Sequence, residues 1–387
     1  MQAVVDAVLS HGAITRTQLA DITGLSKQTM SEVVRELERD GWLRVSGQAQ
    51  GTVGRRAVIY EFEESSAYAV GVDLGGSNLR AAIATLNGRI IIEENQETDR
   101  RGGLHVIEQV AALVNSLASQ AHIPAGRMQS GVVAVSGVFQ RSTGAVKAAS
   151  NIPGISDIDF GGLLQQRLQV PLAIENGVDM ATKGEQWRGR ARGSRNFVFV
   201  AHGAGIGMGA MIDGHLLKGR QGAIGEIAFL PIGANPFDPK GFSAGTLESE
   251  VGAAAMVRKF EGYGGFSGAS VRDIFQALDK GYEPALAVVE ETARLVALAI
   301  AAILAICDPE MVVMGGHIGM HPEMIRRVRQ VLPRCTPLQT VIEASDLGPR
   351  AQVEGALCTA IQHLYDRVFG VAAVPAIKAP DGHLAAK

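Results

Sequence analysis

Cysteine is scarce in this chain, with three residues among 387. Cys307, Cys335 and Cys358 are far apart and form no C-x-x-C pair, which argues against a disulfide framework and a structural zinc site. We therefore expect a reducing, cytoplasmic location. The segment MQAVVDAVLS has no basic region before an apolar core, so no signal peptide is predicted.

Long apolar runs and a strong excess of one charge are also missing. The run at residues 295–306 is too short to span a bilayer and predicts a buried helix, in the core or alternatively at a subunit interface. A net charge of −3 gives no general attraction to nucleic acid, so any DNA binding requires a local patch. The length exceeds what one hydrophobic core usually supports, so we expect two or three domains.

The first forty residues have the pattern of a helix-turn-helix. Residues 2–10 are amphipathic, and Thr15 is a good N-cap for a helix that ends near Thr23. Gly24 allows a tight turn into the next helix. Ser26 caps that second helix, whose apolar residues recur at intervals of three and four.

Two alternating segments, residues 42–47 and 57–63, then predict a two-stranded wing. Together these parts predict a winged helix-turn-helix at residues 1–64; the alternative is a helical hairpin used only for packing. Up to residue 60 there are seven Lys or Arg and six Asp or Glu residues, so the placement of the cations decides DNA binding. The predicted DNA contacts are Thr15, Ser26, Lys27, Gln28, Thr29, Ser31, Arg35, Arg55 and Arg56.

From residue 67 onward, apolar strands lead into glycine turns. One turn spans residues 73–78, and a second spans residues 203–207. Glycines at such turns let backbone N–H groups approach an anion closely. A third strand precedes glycines at residues 308–319, where an adenosine would lie in a two-lobed nucleotide binder. The repetition predicts two related α/β lobes.

Several segments resemble the ROK family of repressors and kinases: VGVDLGGSNLRAA, NIPGI, IENGVDMATKGEQWRG, GAGIGMGAMIDGHLLKG, GAIGEIAF and DPEMVVMGGHIG. The resemblance covers Met1 to about Gly370. It implies an α/β fold in which a winged helix-turn-helix precedes a two-lobed actin-like ATPase (ROK sugar kinase) domain at residues 65–370. Residues 371–387 are predicted to be a mobile tail. This arrangement is typical of the family's repressors, including the xylose and N-acetylglucosamine types.

The resemblance also implies that kinase chemistry is lost. In the family's kinases, a Glu-Asn-Asp run supplies the base that takes the proton from the sugar hydroxyl. Here Glu175 and Asn176 match, and Gly177 stands at the base position. Loss of a general base typically costs about 10²–10⁴-fold in rate. The phosphate turn, usually Gly-Thr-Gly, has Ala204 at its centre.

A zinc site of the family is predicted to be absent. The family commonly has a His after the Gly-Glu pair, followed by several cysteines that hold zinc. Phe229 replaces that His, and residues 223–250 contain no cysteine. We expect packing around Phe237 and Phe242 to hold this loop instead.

The pocket itself is predicted to remain, with neither cofactor nor metal. The predicted sugar contacts are Gly137, Asn151, Asn176, Glu226 and Glu248. The predicted vestigial phosphate contacts are Asp73, Gly75, Gly76, Ser77, Gly203 and Gly205. The alternative interpretation is that Glu226 caps a turn and Glu248 lies on a solvated helix.

The leading interpretation is a sugar-responsive DNA-binding regulator, a repressor of carbohydrate-utilisation genes. Its expected partners are operator DNA, a sugar effector and further copies of itself, in a dimer or a dimer of dimers that reads two half-sites. One alternative is an active sugar kinase with an accessory DNA-binding domain. Another is a regulator controlled by a protein partner.

Overall fold

The computed structural model describes residues 1–49, 57–140, 145–147, 152–239, 241 and 245–370. The chain divides into two units: Met1–Glu175 with Ala356–Lys387, and Asn176–Gly355. The amino-terminal helices therefore group with the first half of the predicted kinase-like domain. Arg55, Arg56, Asn151, Phe242 and the predicted tail at 371–387 lie outside the described residues.

The amino-terminal part of the first unit is a winged helix-turn-helix, called the head below (residues 1–49 and 57–62). Its helices are Gln2–His11, Arg16–Thr23 and Lys27–Arg39. Its strands are β1 (Ile14–Thr15), β2 (Leu43–Ala49) and β3 (Ala57–Phe62), in the order β1-β3-β2 with antiparallel pairing. Gly24 ends the second helix with a φ of 68°, in the left-handed region that favours glycine. This confirms the predicted helix-turn-helix and wing.

The rest of the first unit is built on a five-stranded sheet with the order β10-β7-β4-β5-β6. These strands are β4 (Tyr68–Leu74), β5 (Asn78–Thr85), β6 (Ile90–Glu97), β7 (Met128–Val135) and β10 (Leu172–Asn176). A separate hairpin is formed by β8 (Val138–Gln140) and β9 (Ala145–Lys147). Helices Gly103–Gln120 and Phe160–Leu168 share a buried apolar core with the sheet.

The second unit contains another five-stranded sheet, with the order β13-β12-β11-β14-β15. These strands are β11 (Phe197–His202), β12 (Ile206–Ile212), β13 (His215–Leu216), β14 (Met311–Gly315) and β15 (Val341–Ala344). Its helices are Gly177–Arg188, Glu248–Val251, Ala253–Gly262, Val271–Asp279, Glu283–Cys307, Gly316–Gly319 and Pro322–Val331. Helix Ala351–Phe369 begins in this unit and ends in the first.

The two sheets repeat one local topology. β4 pairs antiparallel with β5 and parallel with β7, and β11 pairs antiparallel with β12 and parallel with β14. In both cases the antiparallel pair encloses one of the predicted glycine turns. The repetition confirms the prediction of two related α/β lobes.

The apolar run at residues 295–306 lies in helix Glu283–Cys307. Leu295, Val296, Ile300, Ile303 and Leu304 are all at most 3% exposed and belong to the core of the second unit. The prediction of a buried helix is therefore confirmed. In the part of the chain that the structure describes, no helix combines the length and apolarity needed to cross a membrane.

Candidate functional site

The helix Lys27–Arg39 presents a polar face at its amino-terminal end. Met30, Val34 and Leu37 are buried at intervals of four and three residues, which orients the helix in the head. The opposite face is polar: Ser26, Lys27, Gln28, Thr29 and Arg35 are exposed, and Ser31 is half-buried. The Ser26 hydroxyl accepts a hydrogen bond from the Thr29 N–H at 3.2 Å. The predicted donors and acceptors are thus brought together on one surface.

Thr15 is the N-cap of its helix, as predicted, and this role occupies its hydroxyl. Its hydroxyl donates to Oε1 of Gln18 at 2.9 Å and accepts from the Gln18 N–H at 3.3 Å, which forms a capping box. The side chain is buried, so it does not present its hydroxyl to DNA. The prediction that Thr15 contacts DNA is corrected by this geometry.

The first glycine turn follows β4, and the carboxyl group of Asp73 is buried beside it. Asp73 lies in the strand, and the N–H of Gly75 donates to the carbonyl of Asn78 at 2.9 Å across the turn. Ser77 is exposed, whereas Oδ1 of Asp73 is buried with no hydrogen-bond partner among the described residues. Burial raises the pKa of Asp73 to about 7, and the charge of Arg80 opposes this rise. Oδ1 of Asp73 could therefore accept a hydrogen bond from a ligand or contact a cation.

The second glycine turn approaches a carboxylate closely. Gly203 donates its N–H to the carbonyl of Gly205 at 2.9 Å. A Cβ atom on Gly205 would lie 2.1 Å from Oε2 of Glu248, so only glycine leaves room for this side chain. The same carboxylate oxygen accepts the N–H of Ile206 at 3.0 Å.

Glu226 lies close to Glu248. Burial raises the pKa of both carboxyl groups, and the charge of Glu248 adds to the rise at Glu226. The 3₁₀ helix Ile227–Phe229 begins at Glu226, yet the Glu226 side chain makes no capping hydrogen bond there. Glu248 is half-buried rather than solvated. The structure therefore brings two predicted sugar contacts together in one half-buried acidic site, and their contact with sugar stays a prediction.

Asn176 ends β10 and caps the helix Gly177–Arg188. Its Oδ1 accepts the N–H groups of Val178 at 2.8 Å and Asp179 at 3.1 Å. Gly177 is the first helical residue and is buried, and Asp179 is buried in the first turn. Gly137, the remaining described sugar candidate, follows β7 with a φ of 118°. Asn176 thus has a structural task that the sequence analysis missed.

The charged residues of the GEQWRG segment have structural partners within the second unit. Glu185 is fully buried and accepts from the Ser345 hydroxyl, the Leu347 N–H at 3.2 Å and the Arg190 N–H at 2.7 Å. Such complete pairing is what a buried carboxylate requires. Arg188 forms a 3.0 Å ion pair with Glu354. In the sequence, the only indication of the hydrogen bonds of Glu185 and the ion pair of Arg188 was that several charged residues occur close together in this segment.

The region around Phe229 departs from the prediction. Phe237 is 91% exposed and Phe229 is 51% exposed, so the prediction that Phe237 packs is wrong, and Phe242 lies outside the described residues. The described part of the loop is held by hydrogen bonds: Oδ1 of Asn235 accepts the N–H of Phe237 at 3.0 Å, and Leu247 donates to the carbonyl of Ala228 at 2.9 Å. Across the described ranges, no cluster of three His, Cys, Asp or Glu residues could hold a metal ion.

The third glycine motif borders a cavity of about 1110 Å³ in the second unit. Helices Ala253–Gly262 and Val271–Asp279 line it together with His317 and His321. The His321 ring stacks on Phe275 with 3.7 Å between centroids. His317 belongs to the motif at residues 308–319, where an adenosine would lie in a two-lobed nucleotide-binding protein.

Comparison with known proteins agrees with this architecture. The ROK family model matches residues 69–363, and the MarR family model matches residues 3–56. The xylose repressor of Caldicellulosiruptor bescii is 24% identical over 382 residues, covering 93% of this chain and 95% of that protein. These matches include both the head and the kinase-like domain.

Solved structures show the same fold. A ROK family transcriptional regulator, a homolog of the E. coli MLC protein, superposes with a TM-score of 0.74 at 20% identity and covers 98% of both chains. The ROK hexokinase from Thermus thermophilus has a TM-score of 0.66 at 25% identity, covering 77% of this chain and 99% of its own. The chain belongs to the ROK family and has a MarR-type winged helix-turn-helix ahead of its ROK domain.

Proposed function

We propose that this protein is a sugar-responsive DNA-binding repressor of carbohydrate-utilisation genes. The supporting observation is the presence, in one chain, of an exposed polar recognition helix and an acidic half-buried site at Glu226 and Glu248. The first is suited to DNA and the second to hydroxyl groups. A repressor of this kind acts in the cytoplasm, where its operator lies.

The recognition helix is Lys27–Arg39. Lys27 and Arg35 would contact phosphates, and Gln28 would hydrogen-bond base edges in the major groove. A homodimer, or a dimer of dimers, would place two such helices roughly 34 Å apart on a palindromic operator. Phosphate contacts make the affinity fall with salt, and base contacts give sequence choice, so a preference for the operator over unrelated DNA distinguishes specific from non-specific binding.

The effector would bind through hydroxyl groups. Carboxylates and amides accept hydrogen bonds from vicinal hydroxyls, and burial together with the charge of Glu248 raises the pKa of Glu226, so a hydroxyl donor would stabilise its charged form. Phe229 takes the place of a polar sugar ligand of the family, which favours a sugar with fewer hydroxyls than glucose. D-xylose is the first compound to test, since a relative of similar length is named a xylose repressor.

We propose further that the kinase-like domain binds its effector without phosphorylating it. Gly177 has no side chain to act as a base, and Asp179 is buried within the first turn of the helix. ATP-dependent phosphorylation of D-xylose or D-glucose that is abolished by Asp73→Asn would contradict this and support the kinase alternative. A trace of kinase activity in Gly177→Asp would not contradict the proposal, because this variant restores only the base, and Ala204 and Phe229 remain.

A thermal-shift screen tests the sugar-binding part. D-xylose, D-glucose, N-acetylglucosamine and their phosphates are added to the full-length protein, since a ligand bound by the native state raises the melting temperature. We expect one sugar to raise it, and Glu226→Gln to abolish the shift. Glu94→Gln, an exposed residue of β6, is the matched control and should retain the shift. A flat screen would contradict sugar control and favour a protein partner.

A further inference from the structure

Helix Ala351–Phe369 contributes residues to both units, with Ala351 to Gly355 in the second and Ala356 onward in the first. Each end makes specific contacts within its own unit. A continuous helix is a rigid element, so a displacement at one end is passed to the other. The contacts at each end show what such a displacement would affect.

At its first turn the helix crosses helix Gly177–Arg188 in backbone contact. A Cβ atom on Gly184 would lie 2.2 Å from the carbonyl oxygen of Ala351, and one on Gly355 would lie 1.7 Å from that of Met180. Neither separation is tolerated between real atoms, so glycine is required in both helices. The two helices therefore move together at this crossing.

A buried ion pair fixes the same crossing. Glu354 is 3% exposed, and its carboxylate accepts from Arg188 at 3.0 Å and Arg350 at 2.9 Å. Buried charges of this kind are costly unless paired in one geometry, so the pair specifies the relative position of the two helices. Glu354 thereby ties helix Ala351–Phe369 to the carboxyl-terminal end of helix Gly177–Arg188.

Helix Gly177–Arg188 leads back to the candidate sugar pocket. It follows Asn176, a predicted sugar contact, whose Oδ1 accepts the N–H groups of Val178 and Asp179. Its Val178 and Thr182 lie against the glycines of β12: a Cβ on Gly209 would lie 2.1 Å from Oγ1 of Thr182. β12 begins with Ile206, whose N–H is bound by Glu248. A change at the acidic site would thus displace this helix.

At the other end, helix Ala351–Phe369 packs against the head. The Phe369 ring lies edge-on to Trp42, with 5.2 Å between centroids, and to Phe62 at 6.1 Å. Tyr365 is fully buried, lies 6.4 Å from Phe62, and donates its hydroxyl to the carbonyl of Leu86 at 3.1 Å. Edge-to-face ring pairs have a defined geometry, so they orient the head rather than merely tether it.

The connection between head and lobe is also held in place. The short 3₁₀ helix Glu64–Ser66 is bonded on three sides: Ser66 donates to the carbonyl of Gly41, Arg127 donates to the carbonyl of Ser66 at 2.8 Å, and Glu64 pairs with Arg89 at 2.8 Å. A fixed connection leaves few ways to reorient the recognition helix. Helix Ala351–Phe369 is one element that contacts the head and continues into the second unit.

We propose that helix Ala351–Phe369 transmits occupancy of the sugar pocket to the head, with Glu354 and Phe369 as the positioning residues at its two ends. This inference rests on the proposed function. Sugar binding shifts helix Gly177–Arg188, the shift passes through the Gly184–Gly355 crossing, and the aromatic contacts of Phe369 reorient the head. Neither positioning residue is among the predicted sugar or DNA contacts.

The test measures how much sugar weakens DNA binding in full-length variants. The DNA probe is the region upstream of the protein's own gene, and the sugar is the one with the largest thermal shift among D-xylose, D-glucose and N-acetylglucosamine. In the wild type we expect sugar to change the dissociation constant by about 5–150-fold, the usual range for coupled sites. The coupling ratio is the dissociation constant for DNA with sugar divided by that without sugar. In Phe369→Leu and in Glu354→Gln this ratio should fall to about one, while sugar binding and sugar-free DNA binding persist.

Phe237→Leu is the matched control for Phe369→Leu, because Phe237 is exposed and has no part in the pathway. Its coupling ratio should equal that of the wild type. If Phe369→Leu does not fold, Glu354→Gln decides the question at the other end of the helix. Wild-type coupling in both folded variants would overturn the inference and leave the proposed function intact. A wild type whose DNA affinity ignores every sugar would overturn the proposed function and the inference with it.

Discussion

Gly355 and Met180 lie in backbone contact where helix Ala351–Phe369 crosses helix Gly177–Arg188. A Cβ atom at Gly355 would come within 1.7 Å of the Met180 carbonyl oxygen, closer than any real side chain. Glycine usually weakens a helix interior by about 0.5–1 kcal/mol relative to alanine. Here the close approach outweighs that preference.

Gly355→Ala should therefore destabilise the protein, although alanine is the better helix former. Overpacking of this kind typically costs about 1–3 kcal/mol of the free energy of unfolding. Gly262→Ala is the control, because a Cβ atom at this position of helix Ala253–Gly262 would have nothing within 4 Å, and this variant should be neutral or stabilising. Urea denaturation of both variants gives the comparison. Equal stabilities would contradict the backbone contact.

Asp73→Asn should stabilise the protein at pH 8 more than at pH 5. Burial raises the pKa of Asp73 to about 7, so the native state keeps a proton that the unfolded chain releases near pH 4. The contribution of neutral Asp73 is therefore fully present below pH 4 and is lost as the pH rises to about 7, by at most about 1.4 kcal/mol per pH unit. Asparagine does not titrate.

The measurement is the free energy of unfolding of both proteins at pH 5 and pH 8. Asp21→Asn, at an exposed position of helix Arg16–Thr23, controls for a general effect of removing a carboxylate. An equal difference in free energy of unfolding between Asp73→Asn and the wild type at pH 5 and at pH 8 would contradict this. That result would show that Asp73 is solvated and ionised in the folded protein.

Lys27→Ala should weaken DNA binding without changing stability. Lys27 is exposed at the start of the recognition helix, where it would neutralise one phosphate. Losing one phosphate contact reduces the slope of log affinity against log salt by about 1. Anisotropy titrations at several salt concentrations measure this slope. Lys280 is also exposed but lies in the second unit, so Lys280→Ala should leave the salt slope unchanged. Equal salt slopes for the two variants would show that Lys27 does not contact a phosphate.

Thr15→Ala tests the corrected role of this residue. Loss of an N-cap typically costs about 1 kcal/mol, so the variant should unfold more readily than the wild type. Its DNA affinity at fixed salt should be unchanged, because the hydroxyl is committed to Gln18. Thr15→Ser, which retains the hydroxyl, should restore stability. A loss of DNA affinity at constant stability would reinstate Thr15 as a DNA contact.

Local patterns were sufficient to predict the elements that contain the candidate sites. Spacing and caps predicted the helix-turn-helix, since Thr15, Gly24 and Ser26 act through neighbours within four residues. The glycine turns after β4 and β11 were predicted for the same reason. Family resemblance then indicated Glu226 and Glu248, which the structure places together.

Long-range partners were not visible in the sequence. The Arg188–Glu354 pair joins residues 166 positions apart, and Phe369 reaches Trp42 across most of the chain. Residue type alone also predicted wrongly at Phe237, an aromatic residue in a loop that was expected to pack and is exposed instead. Burial in a loop depends on where the chain returns, which no local spacing specifies.

The measurement that tests the central claim most directly is release of the protein from DNA by sugar. Fluorescently labelled DNA from upstream of its own gene is bound by the full-length protein in the presence of unrelated competitor DNA, and D-xylose, D-glucose and N-acetylglucosamine are then titrated in. We predict salt-dependent, sequence-selective binding that one of these sugars weakens by about 5–150-fold without consuming ATP. Binding no stronger than to the competitor, or selective binding that no sugar alters, would contradict the account of a sugar-responsive repressor.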